Sequence, residues 1–139
     1  TSHKEFFYPP DAARCGVDLA ALVVVRLADD QSLARAGEKL LRSGSFGLVV
    51  LDLGVADIPV PLQTRLTGLA HRYHSALVCL TKKSPAAFSL SSLVSLRAHA
   101  EKKRLADNRF ACALRVLKDK RHGPTWTYEE LYTGPAGLC

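Results

Sequence analysis

Short apolar runs alternate with amphipathic stretches through the first 81 residues. Residues 20–26 are rich in β-branched side chains, whereas residues 47–53 (GLVVLDL) and 75–81 (SALVCLT) are apolar on both alternating faces. The two intervening segments carry apolar residues at helical spacing. These are Leu33, Ala36, Gly37, Leu40 and Leu41 in the first, and Leu62, Leu66, Leu69, Ala70 and Tyr73 in the second. The alternation predicts a parallel βαβαβ unit with helices on both faces of its sheet.

Residues that begin or end helices stand at the borders of both helical segments. Asp29 and Asp30 are good N-caps for the first helix, and Gly44 is well suited to end it. Pro59 and Pro61 mark the start of the second helix, because proline is tolerated in a first helical turn.

The pattern changes after Pro85 to one-sided alternation. Residues 94–101 alternate apolar and polar side chains, residues 102–109 are mostly polar, and residues 110–117 are mostly apolar again. This order predicts an antiparallel hairpin, and residues 125–132 (TWTYEELY) can add one more edge strand. The expected fold class is therefore α/β, with a mixed sheet in a single domain over residues 1–139.

Composition favours a globular, cytosolic domain. Of the 139 residues, 47% are hydrophobic and 23% charged, which is close to globular averages. The longest apolar run, residues 19–25, is too short to cross a bilayer. The four cysteines show no C-x-x-C pair and no histidine at ligand spacing, so neither a metal site nor a disulfide framework is expected.

The net charge of +6 is concentrated in clusters, which indicates an anionic partner, either nucleic acid or an acidic protein face. The candidate nucleic-acid contacts are Lys82, Lys83, Lys102, Lys103 and Arg104, and we expect any DNA binding to be weak, non-specific and sensitive to salt. A further cluster contains Lys118, Lys120 and Arg121. A solvated basic face without function is an equally good reading of each cluster taken alone.

Several segments resemble the core of RecA recombinases in collinear order. Residues 8–18 (YPPDAARCGVD) resemble the stretch after the second core strand of RecA, and residues 114–120 (LRVLKDK), followed by Pro124 and residues 127–134 (TYEELYTG), resemble its late hairpin. LVVLD, ending at Asp52, is similar to the Walker B strand. The resemblance implies a RecA-like, P-loop NTPase-like fold with a parallel βαβαβ part followed by the antiparallel hairpin and edge strand.

The chain departs from RecA in one decisive motif. It contains no G-x-x-x-x-G-K-[ST], so the amide cradle and lysine that hold nucleotide phosphates are missing, and we expect neither ATP hydrolysis nor a cofactor. With its FYPP segment and short loops, the chain looks most like the ImuA group. That resemblance implies a non-catalytic accessory protein of SOS mutagenesis and translesion synthesis, with RecA and an ImuB-like relative of Y-family polymerases as partners.

The resemblance also suggests residue roles. Glu5 aligns with the glutamate that activates water in RecA, and Asp52 ends the strand where Mg²⁺ would bind. Both are weak catalytic candidates, and capping of the next turn is the favoured role of Asp52, because this chain has no phosphate-loop motif to face it. Lys118 and Lys120 align with lysines that reach across a RecA subunit interface. With Arg121, they are the predicted partner-binding residues.

Two alternative functions remain open. The chain can be the later part of an active RecA-like ATPase whose phosphate loop lies upstream of Thr1, or a module that binds single-stranded DNA. Trp126 and Tyr128 occupy alternate positions of the last predicted strand, where they pack a core or, on an edge strand, face a partner.

Overall fold

The computed structural model describes residues 9–27, 29, 31–123 and 126–134. They belong to two compact units, of which the first ends at Lys83 and the second begins at Ser84. The chain is a mixed α/β protein, with a two-stranded parallel sheet in the first unit and a three-stranded antiparallel sheet in the second. The single RecA-like domain expected from sequence stays a prediction.

The described residues of the first unit form three helices and two strands. In chain order these are α1 (Pro9–Arg14), α2 (Gln31–Ser43), β1 (Leu48–Gly54), α3 (Val60–Arg72) and β2 (Ala76–Thr81). Strands β1 and β2 pair in parallel from Leu48 opposite Ala76 to Asp52 opposite Leu80. Their connection through α3 is the crossover that a parallel pair requires.

The core of the first unit lies on one face of this sheet. Alternate residues of β1 (Val49, Leu51 and Leu53) are buried against the helices, whereas Leu48 and Val50 are exposed. Leu41 of α2 is fully buried, and Leu66 of α3 is nearly so. Each buried side chain of this kind contributes about 1.5–3 kcal/mol, so these apolar stripes hold the helices on the sheet.

The predicted ends of α2 and α3 are confirmed. Gly44 takes a φ of 68° directly after α2, and its N–H donates to the carbonyl of Leu41 at 3.1 Å. Pro59 is the N-cap of α3. Glu38 of α2 also accepts from Arg42 at 2.5 Å and from Arg65 of α3 at 2.6 Å, which links the two helices. In the part of the chain that the structure describes, no helix is long and apolar enough to cross a membrane.

The strand predicted over residues 20–26 is wrong. Residues 22–27 have no regular secondary structure, and Val23, Val24 and Val25 are exposed. A β-branched run favours extended backbone, but a strand also needs a hydrogen-bonded neighbour, which local propensity cannot supply. The described residues therefore contain β1–α3–β2 and not the full βαβαβ arrangement.

The second unit is a three-stranded meander. Its strands are β3 (Leu96–Arg104), β4 (Arg109–Asp119) and β5 (Thr127–Thr133), in the spatial order β3-β4-β5. The antiparallel hairpin and the added edge strand are thus confirmed.

The polar loop predicted over residues 102–109 is too long. Strand β3 continues to Arg104, which pairs with Phe110, and the turn covers only residues 105–108. Asp107 and Asn108 take positive φ values there, a conformation that short polar side chains tolerate. The side chains of Lys102, Lys103 and Arg104 stay in solvent while their backbone pairs with β4, so their polarity does not end the strand.

Candidate interaction surfaces

The face of the parallel sheet opposite its helices is apolar and exposed. Val50 and Val78 lie opposite each other and are 49% and 41% exposed, and Leu48 and Leu80 extend the patch along β1 and β2. The prediction that helices cover both faces of this sheet is therefore wrong for the described residues. The periodicity of β1 indicated burial on both sides, whereas in the described residues only one side is covered.

An apolar groove runs beside β1. Its lining includes Leu22, Val23 and Val25 as well as Leu33 and Leu40 of α2, and it encloses about 190 Å³. Residues from the segment 20–26, which the sequence pattern assigned to a strand, thus line a groove beside β1 but do not pair as a strand of the parallel sheet.

The two weak catalytic candidates differ in what the structure describes. Asp52 is half-buried near the end of β1, and its carboxylate accepts the N–H of Gly54 at 3.3 Å. This contact caps the turn after β1, which is the alternative that the Asp-Leu-Gly sequence left open. Glu5 lies outside the described residues.

Lys82 and Lys83 follow β2 directly. The ammonium of Lys83 contacts the carboxylate of Asp57 at 3.2 Å, and the backbone N–H of Lys82 donates to the Gly54 carbonyl at 2.7 Å. Lys83 of this predicted nucleic-acid cluster is therefore engaged in an ion pair within its own unit.

One face of the antiparallel sheet collects aromatic side chains that are distant in sequence. Strand register places Lys102 opposite Cys112, which in turn is opposite Glu130. The ammonium of Lys102 lies 4.1 Å from the ring centre of Phe110, a cation–π contact. Lys102, Cys112 and Glu130, together with Tyr128 and Tyr132, line a shallow cavity of about 200 Å³.

Glu130 lies at the centre of a tyrosine–glutamate–tyrosine group on β5. Its carboxylate accepts the hydroxyl of Tyr132 at 2.6 Å and that of Tyr128 at 3.0 Å. These two bonds lower the pKa of Glu130, the Tyr132 bond most, and the carboxylate raises the pKa of Tyr128. Glu130 is therefore an ionised acceptor at neutral pH.

The opposite face of the antiparallel sheet is charged. Glu101 of β3 contacts His99 at 3.7 Å and Arg115 of β4 at 3.8 Å. Because successive strand residues alternate between faces, Lys103 lies on this charged face, whereas Lys102 and Arg104 lie on the aromatic one. The Lys102–Arg104 cluster therefore does not form one continuous basic surface.

The end of β4 is organised by Asp119. This carboxylate accepts the backbone N–H groups of Arg121 at 2.7 Å and His122 at 3.2 Å, and the indole N–H of Trp126 at 3.1 Å. These bonds, that of Arg121 most, lower the pKa of Asp119 to about 2. The loop after β4 is thus held to the start of β5.

The predicted partner-binding residues lie at this same end. Lys118 is half-buried in β4, whereas Lys120 and Arg121 are exposed in the turn after the strand. Because β4 ends at Asp119, Lys118 lies in the strand and Lys120 lies beyond it, so the two lysines do not share one strand face. The structure still brings all three cations to one end of the sheet.

The sequence analysis did not single out Glu129, Glu130 and Leu131 of β5 as candidate interaction residues. Glu129 and Glu130 are adjacent, and Leu131 is 64% exposed on the face opposite Tyr128. The Tyr-x-Glu-x-Tyr spacing was a usable signal, since period-2 spacing places all three side chains on one strand face.

No protein-family model and no curated protein matches this chain. Across the described ranges, no group of three or more histidine, cysteine, aspartate or glutamate side chains is arranged to hold a metal ion.

Proposed function

We propose that the chain is a non-catalytic adaptor with a RecA-like core that works in the cytoplasm in DNA-damage tolerance and acts by binding other proteins. The exposed apolar face of the parallel sheet carries this proposal. Parallel sheets are normally covered on both faces, and an open apolar patch rimmed by polar residues is typical of a protein-binding surface.

The collinear RecA-like segments support the choice of partners. Under this proposal, RecA or an ImuB-like polymerase relative covers the face that includes Val50 and Val78. The exposed cations Lys120 and Arg121 add a second contact that speeds association, because charge at an interface rim acts mainly on the association rate.

The test is a binding titration of purified RecA and of the polymerase relative against the double variant Val50→Thr and Val78→Thr. Threonine keeps the shape and strand propensity of valine but replaces one methyl group of the patch by a hydroxyl. We expect affinity for the bound partner to fall about tenfold, because two apolar contacts are lost.

Val55→Thr is the matched control, since Val55 is exposed in the turn after β1 and outside the patch. It should bind as the unchanged protein does. Equal binding by the double variant, or no binding of either partner to the unchanged protein, would count against the proposal.

A further inference from the structure

Among the described residues no further strand pairs with either outer strand of the antiparallel sheet, and the two strands differ in how well these free edges are protected. Strand β3 carries Lys102, Lys103 and Arg104 and has a register irregularity between Arg97 and Ala98, features that discourage pairing with another chain. Strand β5 has the sequence TYEELYT without lysine, arginine or proline, and its register with β4 is regular throughout.

The outward backbone groups of β5 can be assigned from two hydrogen bonds. Val116 N–H donates to the Trp126 carbonyl at 3.2 Å, and Gly134 N–H to the Asn108 carbonyl at 2.7 Å. Bonded pairs alternate along an antiparallel ladder, so the even-numbered residues of β5 face β4. The N–H and C=O groups of Thr127, Glu129, Leu131 and Thr133 therefore point away from the sheet.

Exposed apolar side chains flank this edge on both faces. Leu131 lies on the charged face of the sheet, whereas Tyr128 and Trp126, which are 52% and 42% exposed, lie on the aromatic face. A ligand bound to one face of the sheet would cover either Leu131 or the two aromatic side chains, but not both. A strand added at the edge would cover both, because its own side chains alternate between the faces.

Charge on β5 restricts which strand fits. In the full antiparallel register of β5 with a second copy of itself, Glu130 would lie directly opposite the other Glu130. Like charges directly opposite each other are destabilising, whereas opposite charges favour pairing. Glu130 thus disfavours self-pairing, and Glu129 and Glu130 together select a strand with lysine or arginine at the facing positions.

We propose that the free edge of β5 binds an extended segment of another protein by strand addition, and that this segment carries basic residues opposite Glu129 and Glu130 and apolar residues opposite Tyr128, Leu131 and Tyr132. The inference rests on the proposed function only in that the chain acts by binding proteins. It uses a different surface from the parallel-sheet face, so each can fail without the other.

The probe is the peptide Thr-Val-Ile-Lys-Lys-Val-Thr, which matches the seven residues of β5 in antiparallel register. Titration into the ¹⁵N-labelled protein at about 0.15 M salt, where distant charges are screened, should shift the amides of Glu129 and Leu131. Replacing both lysines by glutamate should weaken binding about tenfold, because two favourable pairs become repulsive.

Leu131→Pro tests the backbone contact. It removes an outward N–H without touching the bonds to β4, and proline is tolerated on an edge strand. We expect peptide affinity to fall about fivefold or more relative to Leu131→Ala, the matched control, which loses the same side chain but keeps the N–H. Dispersed spectra of both variants verify the fold.

Reversing the charge on β5 should create binding to a peptide of the opposite charge. The double variant Glu129→Lys and Glu130→Lys should prefer the glutamate peptide over the lysine peptide. Equal binding by the proline and alanine variants, or no shift with millimolar lysine peptide, would overturn the proposal. Shifts of Tyr128 and Trp126 with an oligothymidylate alone would overturn it in favour of nucleic acid, and concentration-dependent shifts without peptide in favour of a second copy.

Discussion

At the residue scale, Asp119 shows how one carboxylate can organise a loop. It accepts two backbone N–H groups and the indole of Trp126, the single tryptophan of the chain. A carboxylate with a lowered pKa stabilises the folded loop above its unfolded pKa near 4, and this contribution is lost as pH falls toward the folded value of about 2.

Tryptophan fluorescence can follow this titration. We expect Trp126 emission to change with a midpoint near pH 2, and the change to vanish in Asp119→Asn, whose amide oxygen still accepts but does not ionise. Circular dichroism over the same range separates loop opening from global unfolding. A midpoint near pH 4 in the unchanged protein would show that these hydrogen bonds do not lower the pKa of Asp119 in solution.

At the element scale, two helical glycines should respond oppositely to alanine. A Cβ at Gly37 of α2 would lie 2.9 Å from a methyl carbon of Leu51, whereas a Cβ at Gly68 of α3 meets nothing within 4 Å. Gly68→Ala should raise the free energy of unfolding by about 0.5–1 kcal/mol through helix propensity. Gly37→Ala should lower it by about 1–2 kcal/mol, because overpacking outweighs the same gain.

Thermal or urea unfolding of the two single variants measures this difference directly. Each serves as the control for the other, since the chemical change is identical and only the surroundings differ. Stabilisation of both variants by similar amounts would mean that Leu51 has room to move and that α2 packs less closely on β1.

The elements themselves show where sequence reasoning succeeds. Helices α2 and α3 were predicted because Gly44 and Pro59 mark their ends locally, and β4 because an apolar run follows a polar turn. The predicted strand over residues 20–26 failed for the opposite reason. Its β-branched side chains favour extended backbone, but pairing depends on a neighbour that no local signal specifies.

At the scale of the whole molecule, the net charge of +6 predicts weak affinity for nucleic acid that depends steeply on salt. Lys83 is paired with Asp57, and Lys103 lies on the other face from Lys102 and Arg104. We expect about two phosphate contacts at most from the β3 cluster, which gives a slope of log affinity against log salt near −1.4 for a single strand.

Fluorescence titrations of a labelled oligothymidylate between low and physiological salt measure that slope. Replacing Lys102 and Arg104 by glutamine should flatten it, whereas Lys103→Gln should change it little, because Lys103 faces away. Salt-resistant binding would contradict a purely electrostatic contact and favour the alternative of a dedicated single-strand binding module.

The sequence by itself determined the α/β class, α2 and α3, β1 and β2, and the late meander, because caps, turn residues and hydrophobic periodicity act within a few positions. It also showed that no phosphate loop lies in this chain. Only the tertiary structure decided which faces remain open and which side chains meet across strands and loops: Lys102 on Phe110, and Trp126 on Asp119. These contacts join separate parts of the chain through strand register and loop closure, which local patterns do not encode.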